Sequence, residues 1–456
     1  MPLRLLRHPL DGVFSAADAF RALHGDDTDV FWLDSGEAGM SYLGAGEPWL
    51  PQAPVLDAVR AELAGVAPEA DDDAPPFRLG LVGWLGYELR GETMGVPVSH
   101  PSRYPDAAFL RVDRAVAIAV DGSAQLLALG NGWDGELAEW RDATTATLAA
   151  LAAVAELTLL PRGRRAPQGR SVKPAVVARA ARWHDDEPTY LANIAACQEA
   201  IREGEAYQLC LTTEAAIDGT FDPVAVYDRL RAQSPSHHGA LLRIGGISLL
   251  SSSPERFLEV DPGPGAIVRT HPIKGTRPRS SDAASDARLR DELLASEKER
   301  AENIMIVDLM RNDLARVSVP GSVAVPSLLD VESYAQVHQL VSSIEGRLRA
   351  GTDGIDAIGA CLPAGSMTGA PKQRATEILD TLERRARGLY AGAFGYLGRD
   401  GRVDLAMTIR SIVLDERGAT IGTGGGITAL SVPAEEIAEA RLKAAALLSA
   451  LGLDTL

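Results

Sequence analysis

Apolar residues in the first third of the chain fall in short runs separated by turn formers. Val30-Phe31-Trp32-Leu33 predicts a buried strand, and Phe109 to Val120 followed by Ser123 to Leu129 predicts a hairpin turned at Asp121-Gly122. Pro75-Pro76 and the glycines between Gly80 and Gly86 mark loops. Ala143 to Leu160 is alanine-rich but carries four threonines and Glu156, the pattern of a helix packed in a globular protein; a membrane span is more uniformly apolar. From Pro161 to Pro174 the chain is rich in Arg, Gly and Pro with no apolar period, which predicts a linker. The boundaries that follow are an N-terminal part, 1–160, a linker, 161–186, and a C-terminal part, 187–456.

Beyond the linker the period alternates between helix and strand. Helices are predicted at Glu187 to Arg202, Pro223 to Ala232, Asp282 to Asp313, Pro371 to Ala386 and Pro433 to Leu451. Strands are predicted at Ala206 to Ala216, two or three within Ala240 to Val260, Ala266 to Arg269, Gly392 to Leu397, Val403 to Leu414, and a run ending in Thr423-Gly424-Gly425-Gly426. The chain between Asp313 and Pro326 reads as turn-rich. Strands in pairs with few βαβ units predict an α+β architecture with largely antiparallel sheets. No repeat of fixed period is visible.

Composition narrows the class. The 456 residues allow two or three domains or one large composite unit, and 46% hydrophobic with 23% charged residues is the balance of a globular protein with a large core. A formal net charge of −17 disfavours nucleic acid and other polyanionic surfaces, so small molecules or proteins are the expected partners. Cys197, Cys210 and Cys361 are widely spaced with no CxxC pair, which predicts reduced thiols in a cytoplasmic protein, without a disulfide framework or a zinc site. Charge and proline interrupt the first nine residues, so no signal peptide is expected.

Several groups could carry chemistry. In Thr270-His271-Pro272-Ile273-Lys274-Gly275-Thr276-Arg277-Pro278-Arg279, two prolines fix φ and a glycine relaxes it around one lysine; the plain reading is a basic surface loop. Glu299 and Glu302, and Glu436 and Glu439, are two i, i+3 pairs on helices, with Lys443 one turn beyond the second pair. Such carboxylates are hard ligands of the kind Mg²⁺ uses, although a Glu-rich helix face is usually just solvated. Gly424-Gly425-Gly426 is either a tight turn or a backbone N–H cradle for an anion. Gly365 to Lys372 resembles a helix start as much as a binding loop. Arg410, in an apolar strand, is on the exposed face or a fork for a carboxylate, and Glu255, near a strand end, donates a proton or caps a turn.

Taken together, Pro272 to Thr276, Arg300-Ala301-Glu302-Asn303 through Asp313, Gly365 to Lys372, Ile409-Arg410-Ser411, Gly424 to Gly426 and the Glu436/Glu439/Lys443 helix fall in the order seen in chorismate-utilising enzymes. The resemblance is close from about Trp183 to Leu451 and looser before it, through Leu33-Asp34-Ser35 and Gly80 to Glu88. It implies one α+β unit of two packed, largely antiparallel sheets with helices outside. It also implies Mg²⁺ held by Glu302 and Glu439, with Glu299 and Glu436 acting through waters. Lys443 and the Gly424, Gly425 and Gly426 backbone would help bind the ring carboxylate, and Arg410 and Tyr390 the enolpyruvyl carboxylate. Gly275, Thr276 and Ser366 would line the ring, and Glu255 would be the general acid.

Within the family, Pro-Ile-X-Gly-Thr separates branches: alanine at X marks the anthranilate-forming branch, lysine the branch that aminates chorismate at ring carbon 4 on the way to p-aminobenzoate and folate. Lys274 is similar to the latter, where the lysine is proposed to attack ring carbon 2; anthranilate-forming and isochorismate- or salicylate-forming members are the alternatives. No cysteine lies in a G-x-C-x-G elbow, so the ammonia donor implied is a separate glutamine amidotransferase subunit. The sequence departs from the pattern at three places. Gln339, preceded by His338, stands where a histidine is usual; Cys210 ends Tyr207-Gln208-Leu209-Cys210 where asparagine is usual. The amino-acid pocket, which holds tryptophan in some members, matches Ser35 but meets His237-His238-Gly239 in place of Pro plus an aromatic.

Overall fold

Strands from both sides of the linker interleave in two antiparallel sheets. The computed structural model describes residues 3–36, 39–65, 67–71, 73–159, 180–334 and 337–453, so residues 161–179 of the predicted linker 161–186 lie outside the described residues. Among the described residues one sheet has 12 strands and the other 10. The larger runs from Arg4–Leu10 through Val30–Asp34, His238–Ile244, Ile247–Ser253, Ser411–Asp415 and Gly418–Ile427 to Gln208–Asp218 and the short Gly369–Ala370. The smaller runs from Ile273–Pro278 through Val337–Arg347, Ile267–Thr270, Arg256–Val260, Val403–Met407, Ala393–Gly398 and Gly80–Leu85 to Glu47–Trp49.

Alternation along the strands builds the layers. Leu242, Leu249 and Val413 of the larger sheet pack with Val82, Trp84 and Phe394 of the smaller one, while their neighbours Leu241, Leu250 and Ile412 pack with Phe20, Leu148, Tyr227 and Leu447 from helices outside. Successive side chains point to opposite faces, so one apolar run serves both layers. The expected α+β class with packed antiparallel sheets and outer helices is the one observed.

Two predicted strands prove to be crossings between the sheets. Phe109 to Val120 divides into Ala107–Val112 of the smaller sheet and Arg114–Ile118 of the larger, and only the latter makes the hairpin with Ala124–Gly130. Val403 to Leu414 divides into Val403–Met407 and Ser411–Asp415, again one in each sheet. Neither run holds a glycine or proline at its crossing, so the break carries no turn signal. The predicted helix from Asp282 to Asp313 is two helices, Ala283–Ala295 and Glu297–Ala315, because Ser296 ends the first and caps the second by accepting from the Glu299 N–H at 3.4 Å. The chain before Pro326 leads into a strand, Ala324–Ser333, whose exposed, charged outer face hid its alternation.

Candidate active site

The decapeptide around Lys274 is an edge strand and not a loop. Ile273–Pro278 pairs with Val337–Arg347, and the register shifts between Ile273 and Thr276, so Lys274 and Gly275 occupy a bulge. A bulge bends the strand and re-aims its side chains. Gly275 has φ +84°, and a Cβ there would lie 2.8 Å from Leu293 Cδ1 and 3.0 Å from Glu299 Oε2. Only glycine lets this strand press against the helix that carries Glu299 and Glu302. Thr276 is exposed, at the rim.

Lys274 is aimed among acids. Burial presses its ammonium toward neutrality, but Glu302, then Cys210, Glu255 and Glu439, outweigh that effect and hold its pKa above the ordinary lysine value. The amine is therefore protonated in the metal-free protein. Glu255 is buried, and burial pushes its carboxyl up to about 7, even though Lys274 and a hydrogen bond from Ser366 Oγ at 3.0 Å favour the charged form. A carboxyl poised near neutrality beside a protonatable substrate oxygen is suited to general acid work.

Two helices bring the other glutamates together. Glu302, in Glu297–Ala315, is 9% exposed, and Glu436, in Pro433–Ala450, is 4% exposed. Pro433 at the first helical position and Glu435 and Glu436 in the first turn suit a helix N-terminus. Lys298 pairs with Glu436 at 3.6 Å, and Lys443 pairs with Glu439 at 2.6 Å while donating to the Gly424 carbonyl at 2.9 Å. Arg277 reaches Glu299 at 3.8 Å. Among the described residues no three His, Cys, Asp or Glu side chains are gathered tightly enough to hold a metal ion alone. Mg²⁺ needs only one or two carboxylates when substrate and water complete its octahedron. The Glu302 carboxylate makes no hydrogen bond or ion pair among the described residues, and burial, with Glu299 and Glu436 nearby, raises its pKa against the pull of Lys274 and Lys298. A desolvated carboxylate with no direct hydrogen bond or ion pair, beside further hard oxygen donors, fits such an ion.

The glycines lie inside a strand, and the tight turn expected for them is not formed. Gly424, Gly425 and Gly426 of Gly418–Ile427 pair with Thr212, Leu211 and Cys210. On the other side the ladder with Ser411–Asp415 stops at Thr420, which leaves their second backbone edge outside that pairing. Gly425 faces the Glu436 carboxylate, whose Oε2 would be 3.1 Å from a Cβ there. Arg410 is not on a strand: it sits at the crossing between the sheets with φ +50°, partly buried, and burial lowers its pKa against the opposing pull of Tyr390 and Glu439. Tyr390 lies flat against Gly422, where a side chain would collide with its ring.

Residues 25–449 match the family model described as chorismate binding enzyme. The chain belongs to that family. It is 40% identical to a protein named aminodeoxychorismate synthase from Streptomyces pristinaespiralis, over 95% of this chain and 63% of that one. It is 37% identical to anthranilate synthase component 1 of Streptomyces coelicolor, over 97% and 87% of the two chains. The chain thus spans less than two thirds of the first relative. The crystal structure of anthranilate synthase component I from Streptococcus pneumoniae superposes with a TM-score of 0.68 at 25% identity, covering 97% of this chain and 92% of that one.

The departures within this chorismate binding family member now have positions. His338 is buried and turned to Asp286 at 3.1 Å and Ser333 at 2.8 Å, whereas Gln339 is cross-strand from Thr276 and shares its face. Gln339 is therefore the residue beside the site. Cys210 is buried opposite Gly426, with its thiol pKa raised by burial. Ser35, His237, His238 and Gly239 do converge, lining a cavity of about 460 Å³ with Tyr42, Arg256 and His271. Ile273 also lines it, so adjacent residues of one strand face the cavity and the glutamates. Burial drives the His238 pKa down to about 3, so it is neutral there.

Sequence reading missed a buried cluster behind the site. Arg387 donates to Glu383, to the Met367 carbonyl at 2.6 Å and to the Cys210 carbonyl at 2.9 Å, and Glu88 accepts from the Arg387 and Gly388 N–H groups at 2.8 and 2.9 Å. One guanidinium thereby ties the Ser366 loop, the Cys210 strand and the segment leading to Tyr390. In sequence Arg387 closes an Arg384-Arg385 run that reads as a solvated helix end, and only Glu88, within Gly80 to Glu88, gave a signal.

Proposed function

We propose that this chain aminates chorismate at ring carbon 4 with ammonia, giving 4-amino-4-deoxychorismate, a precursor of p-aminobenzoate and folate. The observation that carries the reading is Lys274, held in a bulge between the Glu255 carboxyl and the glutamate helices. The identities to aminodeoxychorismate and anthranilate synthases are too close to separate the two, so the weight falls on this residue.

In this mechanism the neutral Lys274 amine attacks ring carbon 2, both double bonds of the ring diene shift, and the carbon 4 oxygen leaves as water with the Glu255 proton, which leaves an ammonium linkage at carbon 2 and a Glu255 carboxylate. Ammonia then adds at carbon 4, the two double bonds shift back, the lysine leaves as the neutral amine, and the Glu255 carboxylate takes a proton from the new carbon 4 ammonium. Hydroxide is a poor leaving group, so the proton from Glu255 makes the first step feasible. Ser366 orients that carboxyl through its hydrogen bond. Arg410 and Tyr390 grip the enolpyruvyl carboxylate, Lys443 and the free edge of Gly424 to Gly426 the ring carboxylate, and Gly275 and Thr276 border the ring. Glu302 and Glu439 would hold Mg²⁺, with Glu299 and Glu436 acting through waters, and the ion would supply positive charge for the ring carboxylate.

The ammonia is assigned to a separate glutamine amidotransferase partner, and the compartment to the cytoplasm. All three cysteines are buried free thiols, and burial raises the pKa of each, the opposite of an activated nucleophile. The purified chain with chorismate and Mg²⁺ is therefore expected to form aminated product from ammonium and none from glutamine. Equal product from glutamine alone would remove the separate partner from the scheme.

A further inference from the structure

The two carboxylates offered by the helix Pro433–Ala450 are each met by a lysine, but the two lysines differ in kind. Lys443 reaches Glu439 within its own helix at 2.6 Å and is fixed by its bond to the Gly424 carbonyl. Lys298 comes from the other glutamate helix, its side chain is 44% exposed, and its contact with Glu436, at 3.6 Å, joins the two helices across the site. Burial weakens the Lys298 ammonium, but Glu436, Glu302, Glu439 and Glu299 together outweigh it and hold its pKa above the ordinary lysine value, so one amine sits in the field of all four carboxylates.

Resting on the reading of those carboxylates as a Mg²⁺ site, we propose that Lys298 is a built-in counter-cation that spans the two glutamate helices when no divalent ion is bound and swings to solvent when one binds. Charge sets the two states in competition. A divalent ion served by Glu436, directly or through water, weakens the pull of the carboxylates on the ammonium, and like charges a few ångströms apart repel. The side chain is suited to the exchange. A half-exposed lysine has a long flexible stem and makes a long, single ion pair of the kind that contributes little, so release costs little. Lys443, tied at two points, stays in place. The device keeps the acidic helices from repelling one another in the empty protein, at the expense of affinity for the ion.

The test is calorimetric titration of Mg²⁺ alone into the metal-free full chain, without substrate. Lys298→Gln is expected to lower the Mg²⁺ Kd about three- to tenfold, and to lower the thermal midpoint of the metal-free protein while leaving the Mg²⁺-saturated one near wild type. Lys298→Arg, which keeps the charge, is expected to bind like wild type. A Lys298→Gln protein that binds Mg²⁺ no better than wild type, while wild-type binding is abolished by Glu302→Gln, overturns the counter-cation role alone. Absence of Mg²⁺ binding in wild type, or undiminished binding in Glu302→Gln, instead overturns the cation site and the inference with it.

Discussion

Replacing Lys274 by alanine is expected to lower ammonium-dependent turnover about 10²- to 10³-fold, with the fold retained. The side chain is partly buried in a bulge and makes no ion pair within 4 Å among the described residues, so its removal opens space without stranding a bonded partner. It does remove a positive charge from Glu302, Glu255 and Glu439. Substrate binding should therefore persist while the covalent route disappears. Two measurements separate this from a general loss of shape: kcat falls far more than KM rises, and a lysine-linked substrate adduct is trapped on wild type when ammonia is withheld. Full ammonium-dependent turnover in Lys274→Ala, with no adduct on wild type, would remove the nucleophile from the mechanism.

Glu255→Gln is expected to cost about 10²- to 10⁴-fold in kcat, the usual range for a positioned general acid. Its pH signature is more specific. The reaction needs Glu255 protonated and Lys274 neutral, which are opposite demands. Below pH about 7 the Glu255 carboxyl is protonated, and each further unit of pH frees about tenfold more lysine amine, so kcat/KM rises. Above about 7 the gain in amine is matched by loss of the acid, and the profile levels for as long as the ammonium titrates at higher pH than the acid. In Glu255→Gln the break near 7 disappears and the small residual rate keeps rising. A break that survives the substitution would assign it to another group. Glu88, pushed up to about 7 by burial, is the competing candidate, and Glu88→Gln distinguishes the two.

The class of fold was legible because alternation and turn formers are local, and the sheets obey them. What sequence concealed were the crossings. At Asp113 and at Arg410 a strand-like run passes from one sheet to the other with no glycine or proline to mark the break, and only the tertiary partners reveal it. The conformation of Arg410 was not legible, since a positive φ in a non-glycine residue follows from the crossing and not from its neighbours in sequence. The glutamates were legible from their i, i+3 spacing, which fixes a helix face; that the two faces meet required the fold. Lys274 illustrates both limits. Pro272, Gly275 and Pro278 announced an unusual backbone around it, yet they indicated a loop where the structure has a bulged edge strand packed on a helix. Arg387 gave no local signal, because its role is to join segments far apart in the chain.

The two branches differ in which bond is broken after chorismate has bound. One measurement decides it: purified chain, chorismate, Mg²⁺ and ammonium, with no other enzyme, and the products separated by mass alongside an assay for pyruvate. The prediction is 4-amino-4-deoxychorismate with its enolpyruvyl group intact and no pyruvate released. Anthranilate accompanied by equimolar pyruvate would contradict it and place the chain with the anthranilate-forming branch despite Lys274.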